Sequence, residues 1–131
     1  MNKTATFTGH RECITVEKES VYLIQEWVVT FLSGGMGNFD WLCASTVYDL
    51  KQKYSYIKNI LVIPYLTFRI RNKAIFDEIE YPESFEKYHF KAAILKRNRF
   101  LEDNSQYAVC HIKYGWGEEL QKRMNMPKNA D

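Results

Sequence analysis

Apolar positions along this chain recur in two rhythms, short continuous runs and helical spacing, and the two take turns. Thr4 to Thr8, centred on Ala5-Thr6-Phe7, predicts a first strand. Val21, Ile24 and Val28 then recur at three- and four-residue intervals, so a helix is expected from about Val16 to Glu26. Thr15 is placed to cap it, and Glu17 and Glu19 fall in its first turn, where carboxylates complement the helix dipole. Val28 to Leu32 is β-branched and apolar and predicts a second strand. From about Phe39 to Tyr54 the spacing is helical again, with Cys43, Val47, Leu50 and Tyr54 on one stripe and Asp49, Lys51 and Lys53 opposite. Ile60-Leu61-Val62-Ile63, stopped by Pro64, is a continuous apolar run of the kind found in a parallel strand covered on both faces.

Periodicity fades between Tyr65 and His89, where Arg69, Arg71 and Lys73 mix with Asp77, Glu78 and Glu80 around Tyr81-Pro82-Glu83. So long a connection is more often an excursion over a site than a plain linker. A third helix is expected from about Phe90 to Asp103 and a buried strand from Tyr107 to Ile112, followed by a Gly115-Trp116-Gly117 turn. Glu118 to Met124 forms a last amphipathic piece, so residues 1–124 read as a single domain and 125–131 as a polar tail. Strands feeding helices through short loops imply a three-layer, Rossmann-like α/β domain with a mostly parallel central sheet and right-handed crossovers. Such sheets bind ligands beyond the carboxyl ends of their strands. That rule gathers Gly9-His10-Arg11, Ser33-Gly34-Gly35, the segment after Pro64 and Gly115-Trp116-Gly117 on one rim.

The chemistry concentrates in Phe31-Leu32-Ser33-Gly34-Gly35-Met36-Gly37-Asn38-Phe39-Asp40, where a strand empties into three glycines and then into a helix. Glycine lets backbone N–H groups approach an anion, and the helix directs its positive end at the same place. Gly34, Gly35 and Gly37 are therefore candidate phosphate donors, joined by Gly9, His10 and Arg11 from the other early loop. A tight strand-to-helix turn explains the glycine loop equally well when it is taken alone. In the third helix Arg97 and Asn98 fall at the angular position of Phe90, Ile94 and Leu101. A charge inside a buried stripe needs a partner, here an anionic ligand or Asp40. Asp40 is equally suited to cap backbone N–H groups or to meet a ribose. Arg99 and Asp103, four residues apart, read as a surface ion pair. Trp41 and Trp116 read as packing residues.

Composition narrows the classes. The 131 residues are 46% hydrophobic and 26% charged, with a formal charge of +2, which fits one soluble domain and does not demand nucleic acid or an anionic membrane. Cys13, Cys43 and Cys110 show no metal-binding spacing and are expected to be reduced, as in a cytoplasmic protein. No apolar stretch approaches the length of a membrane span, so no membrane partner is expected.

Thr8-Gly9-His10-Arg11, Ser33-Gly34-Gly35-Met36-Gly37 with Asp40, Ile63-Pro64, and Arg97-Asn98-Arg99 with Asp103-Asn104-Ser105 together resemble the SLOG superfamily, most closely its YpsA-like branch. The resemblance runs in order from Met1 to about Gly117. It implies a small nucleotide or nucleotide-derived ligand held by the glycine loops; in a nucleotide-binding module Arg11 and Arg97 would be charge partners, Asp40 and Asn98 polar contacts to sugar or loop, and Ser33 a further site residue. Two relatives frame other readings: DprA implies single-stranded DNA along Lys96, Arg97, Arg99 and the bases near Arg69, and the LOG hydrolases imply cleavage of a nucleotide N-glycoside. The LOG motif Pro-Gly-Gly-x-Gly-Thr with its following glutamate is not found in this sequence, and no catalytic residue is assigned. Glu118-Glu119 stand where relatives keep small and hydroxyl residues, and the tail holds no apolar run for the closing strand of the family. The C-terminal strand is thus expected to be missing, and an uncovered sheet edge would favour a homodimer.

Overall fold

A computed structural model describes residues 2–8 and 16–110. Their elements follow in the order β1 (Lys3–Thr8), α1 (Val16–Gln25), β2 (Val28–Ser33), α2 (Gly37–Leu50), β3 (Lys58–Val62), β4 (Glu78–Glu80), α3 (Phe90–Asp103) and β5 (Tyr107–Cys110). The strands form one sheet in the order β4-β3-β2-β1-β5, and every neighbouring pair is parallel. Parallel neighbours cannot be joined by hairpins, so each step outward from β1 passes through a crossover. The expected α/β three-layer architecture is present, and its described sheet is wholly parallel.

Side-chain alternation divides the core into two layers. On one face Ala5, Phe7 and Phe31 pack with Leu23 and Ile24 of α1 and with Phe39, Cys43 and Val47 of α2. On the other, Leu32, Ile60 and Val62 meet Leu101 and Phe100 of α3. Phe31 and Leu32, adjacent on β2, point into different layers because the strand period is two. The chain moves outward from β1 to β4 and returns across the opposite face through α3 to β5. The strand order therefore reverses at β1, the position at which open α/β sheets leave a crevice.

Four sequence expectations change. The aperiodic segment 65–89 contains β4, which escapes hydropathy because only Ile79 of Glu78-Ile79-Glu80 is even half-buried. Its two exposed carboxylates blunt the sheet edge. The second helix ends at Leu50 rather than Tyr54; the Leu50 carbonyl accepts from Lys53 N–H at 3.0 Å and Tyr54 N–H at 2.8 Å, closing the last turn. Phe90 is 51% exposed, and the buried stripe of α3 is Ala93, Arg97 and Leu101. Arg99 and Asp103 do not pair; the ion pairs among the described residues are Lys51 with Asp77 and Lys58 with Glu78, the latter at 3.2 Å.

Asn59 organises the β3 edge without having been flagged by the sequence. It is fully buried, and its side-chain amide donates to the carbonyls of Ala44 at 3.1 Å and Ile75 at 2.9 Å, tying α2 to the 3-10 turn Lys73–Ile75. Its backbone N–H donates to Asp77 Oδ2 at 2.7 Å. Among the described residues no helix is long and apolar enough to cross a membrane.

Candidate functional site

The strand-to-helix connection from β2 to α2 occupies the carboxyl rim of the sheet. The hydroxyl of Ser33 accepts from Gly35 N–H at 3.3 Å, and Asp40 Oδ2 accepts from Met36 N–H at 2.9 Å. Asp40 thus reaches back across the first turn to the N–H of the residue that precedes the helix. The loop amides of Gly35 and Met36 are consequently engaged. One residue on, the situation changes: no side chain caps α2, and the N–H groups of Gly37, Asn38 and Phe39 have no partner among the described residues. Uncapped first-turn amides carry the positive end of the helix dipole.

The three glycines do different things. At Gly34 an added Cβ would lie 3.1 Å from Arg97 Cζ, so the missing side chain makes room for the guanidinium. Gly35 has φ +68°, and a Cβ there would come within 2.6 Å of Leu61 Cδ1. Gly37 has φ +80° with nothing within 4 Å of an added Cβ, so its backbone faces open space.

Arg97 rises from α3 beneath this loop and is 1% exposed. Its Nη1 donates to the carbonyls of Gly34 at 2.6 Å and Val62 at 2.9 Å, and its Nε donates to Asn98 Oδ1 at 3.0 Å. The guanidinium therefore joins the ends of β2 and β3 across the sheet face. The buried charge in the stripe finds backbone carbonyls as its main partners, with Asp40 supplying attraction beyond ion-pair distance. Nη2, which carries two strong donors, makes no hydrogen bond within the described residues. Burial lowers the guanidinium pKa while Asp40 and Tyr65 oppose the shift, and the group stays charged. Burial likewise pushes the Asp40 carboxyl above its usual range, opposed by the Met36 N–H and by attraction to Arg97.

Thr6, Met36, Asp40, Arg97, Asn98 and Glu102 line a cleft of about 240 Å³ on the α3 side of the glycine loop. On the other side, a pocket of about 100 Å³ is bounded by Gly37, Asp40, Trp41, Phe68, Arg71 and Phe76. Asp40 borders both. Of the residues singled out by sequence, the structure brings together Ser33, Gly34, Gly35, Gly37, Asp40, Arg97 and Asn98. Gly9, His10 and Arg11, the Gly115-Trp116-Gly117 turn, and Glu118-Glu119 lie outside the described residues.

Asn38, Phe68 and Phe76 carry no functional signal in the sequence, and Trp41 reads there as a packing residue. Trp41 is half-buried, and the Arg71 guanidinium lies over its ring at 4.7 Å from the centroid. Its position immediately after Asp40 in the first turn was the available signal. The basic residues expected to share an oligonucleotide groove separate, because Arg97 is buried whereas Lys96 and Arg99 are exposed. Among the described residues no group of three His, Cys, Asp or Glu side chains gathers to hold a metal ion. No protein-family model matches the sequence, and no curated protein is significantly similar to it.

Proposed function

We propose that this chain is a SLOG-type, YpsA-like module that binds a nucleotide or nucleotide derivative at the carboxyl rim of its sheet. The observation that carries the reading is that first-turn amides of α2 with no partner among the described residues share the rim with a buried guanidinium whose Nη2 makes no hydrogen bond among those residues. Preorganised amides and a charged donor are the groups that recognise phosphate oxygens. In this arrangement the amides of Gly37, Asn38 and Phe39 take the phosphate and Arg97 supplies charge. The carboxyl of Asp40 and the amide of Asn98, both on the larger cleft, suit sugar hydroxyls. Gly9-His10-Arg11 follows β1 directly in sequence and is assigned to the same ligand.

Thermal-shift measurements with AMP, cyclic AMP, ADP-ribose and ribose 5-phosphate test this directly. A ligand at a hundredfold excess over its Kd stabilises the native state by about 2.7 kcal/mol, a rise of several degrees in Tm. Gly37→Asp is the matched control, because Asp accepts a positive φ better than most residues and the space above Gly37 is open. It places a carboxylate in the cradle and should abolish the shift while the circular dichroism spectrum is retained. A panel in which no compound raises Tm, or a shift that survives Gly37→Asp, contradicts the assignment.

A further inference from the structure

The smaller pocket, between the first turn of α2 and residues 68–76, has a composition unlike the rest of the rim. Trp41, Phe68 and Phe76 supply aromatic walls, and Asn38 and Arg71 supply polar groups at its border. We propose that this pocket is a nucleobase subsite in which the base plane lies against Trp41 under the Arg71 guanidinium. The proposal rests on the nucleotide reading above, to which it adds the part of the ligand recognised.

Three observations converge on it. First, Arg71 is exposed and held by a ring contact at 4.7 Å and one long hydrogen bond, 3.5 Å from Nη1 to Asn38 Oδ1. A guanidinium over an indole occupies the ring face on which a base would stack, and exposed arginine side chains swing readily. Admitting a planar ring requires it to lift by about 3.5 Å, one layer of carbon contact. Second, the pocket is bordered by Gly37, Asn38 and Asp40, so its mouth adjoins the first-turn amides of α2. A flat apolar body followed by a polar middle and an anionic end is the layout of a nucleotide, and Asp40 stands where the middle would fall. Third, the long excursion after β3 gains a purpose, since Phe68, Ile70, Arg71 and Phe76 all come from it.

Isothermal titration of the full chain with AMP, adenosine and ribose 5-phosphate separates the two parts of the reading. AMP is expected to bind at least tenfold tighter than ribose 5-phosphate. Arg71→Ala, an exposed position, should weaken AMP and adenosine about fivefold or more, in line with the worth of a cation–π contact, and leave ribose 5-phosphate unchanged. Trp41→Phe, which keeps an apolar wall, should weaken the same two ligands in the same direction. If AMP and ribose 5-phosphate bind equally and neither responds to Arg71→Ala, the base subsite is wrong while the phosphate site stands. If adenosine binds in an Arg71-dependent way but ribose 5-phosphate does not, the subsite stands and the phosphate assignment falls. If none of the three binds, both are wrong.

Discussion

Replacing Arg97 by Met removes the guanidinium while keeping an unbranched apolar stem, and the structure fixes what is lost. Two carbonyls, those of Gly34 and Val62, lose donors at 2.6 and 2.9 Å in a place 99% withdrawn from solvent on the 1% exposure of Arg97. Hydrogen bonds to a charged donor contribute about 1.5–3 kcal/mol each. Those values are already net of the water contacts given up on folding, so the two bonds together imply a destabilisation of roughly 3–6 kcal/mol, a large share of the 5–15 kcal/mol typical of a domain. Urea unfolding followed by circular dichroism reads it as a fall in midpoint at unchanged slope. A second arm checks the mechanism. Gly34→Ala presses a methyl within 3.1 Å of Cζ in the native chain, so it should cost less in the Arg97→Met background than alone. A loss below about 1 kcal/mol for Arg97→Met would refute the reasoning, because it would mean that the carbonyls are satisfied without the guanidinium.

Other expected outcomes follow from single contacts. Burial raises the folded carboxyl of Asp40 above 3.8, so the folded state holds an extra proton between 3.8 and the raised value, and stability falls as pH rises through that window. Asp40→Asn should remove this fall, so the urea midpoint of the variant should gain on wild type as pH rises. Asp77 behaves oppositely: desolvation works to raise its pKa, but the Lys51 hydrogen bond and Asn59 N–H outweigh it, and the folded value is lowered. Its contribution is present above 3.8 and lost as pH falls through the folded value, so Asp77→Asn should cost stability at neutral pH and progressively less in acid. Trp27 has φ 76° while 63% exposed; Trp27→Gly should stabilise by about 1 kcal/mol, seen as a higher Tm. A lowered Tm would show that the ring's remaining contacts outweigh the backbone strain.

Much of the frame was legible because apolar periodicity is dictated by the core. Phe90–Asp103 was placed to the residue, and β1, α1, β2 and β3 to within about two. The edge strand β4 was not, since a strand that buries so little carries no hydropathic signal. In the site, the charge at Arg97 was visibly anomalous, but its partners were not. Gly34 and Val62 accept through backbone carbonyls, which every residue has, so nothing in the sequence distinguishes them. The glycines were read as a single cradle, whereas Gly34 and Gly35 accommodate Arg97 and Leu61 and only Gly37 faces open space. The aromatic pocket was missed because its wall is assembled from α2 and from the aperiodic excursion, which meet only through the tertiary fold.

The central claim is that the open amides of α2 hold phosphate, and backbone NMR reads them one by one. Titrating the ¹⁵N-labelled chain with AMP should move the amide resonances of Gly37, Asn38 and Phe39 saturably and together, along with the Arg97 side-chain signals. Saturating binding that leaves these three amides in place, or no binding at all, would contradict the account.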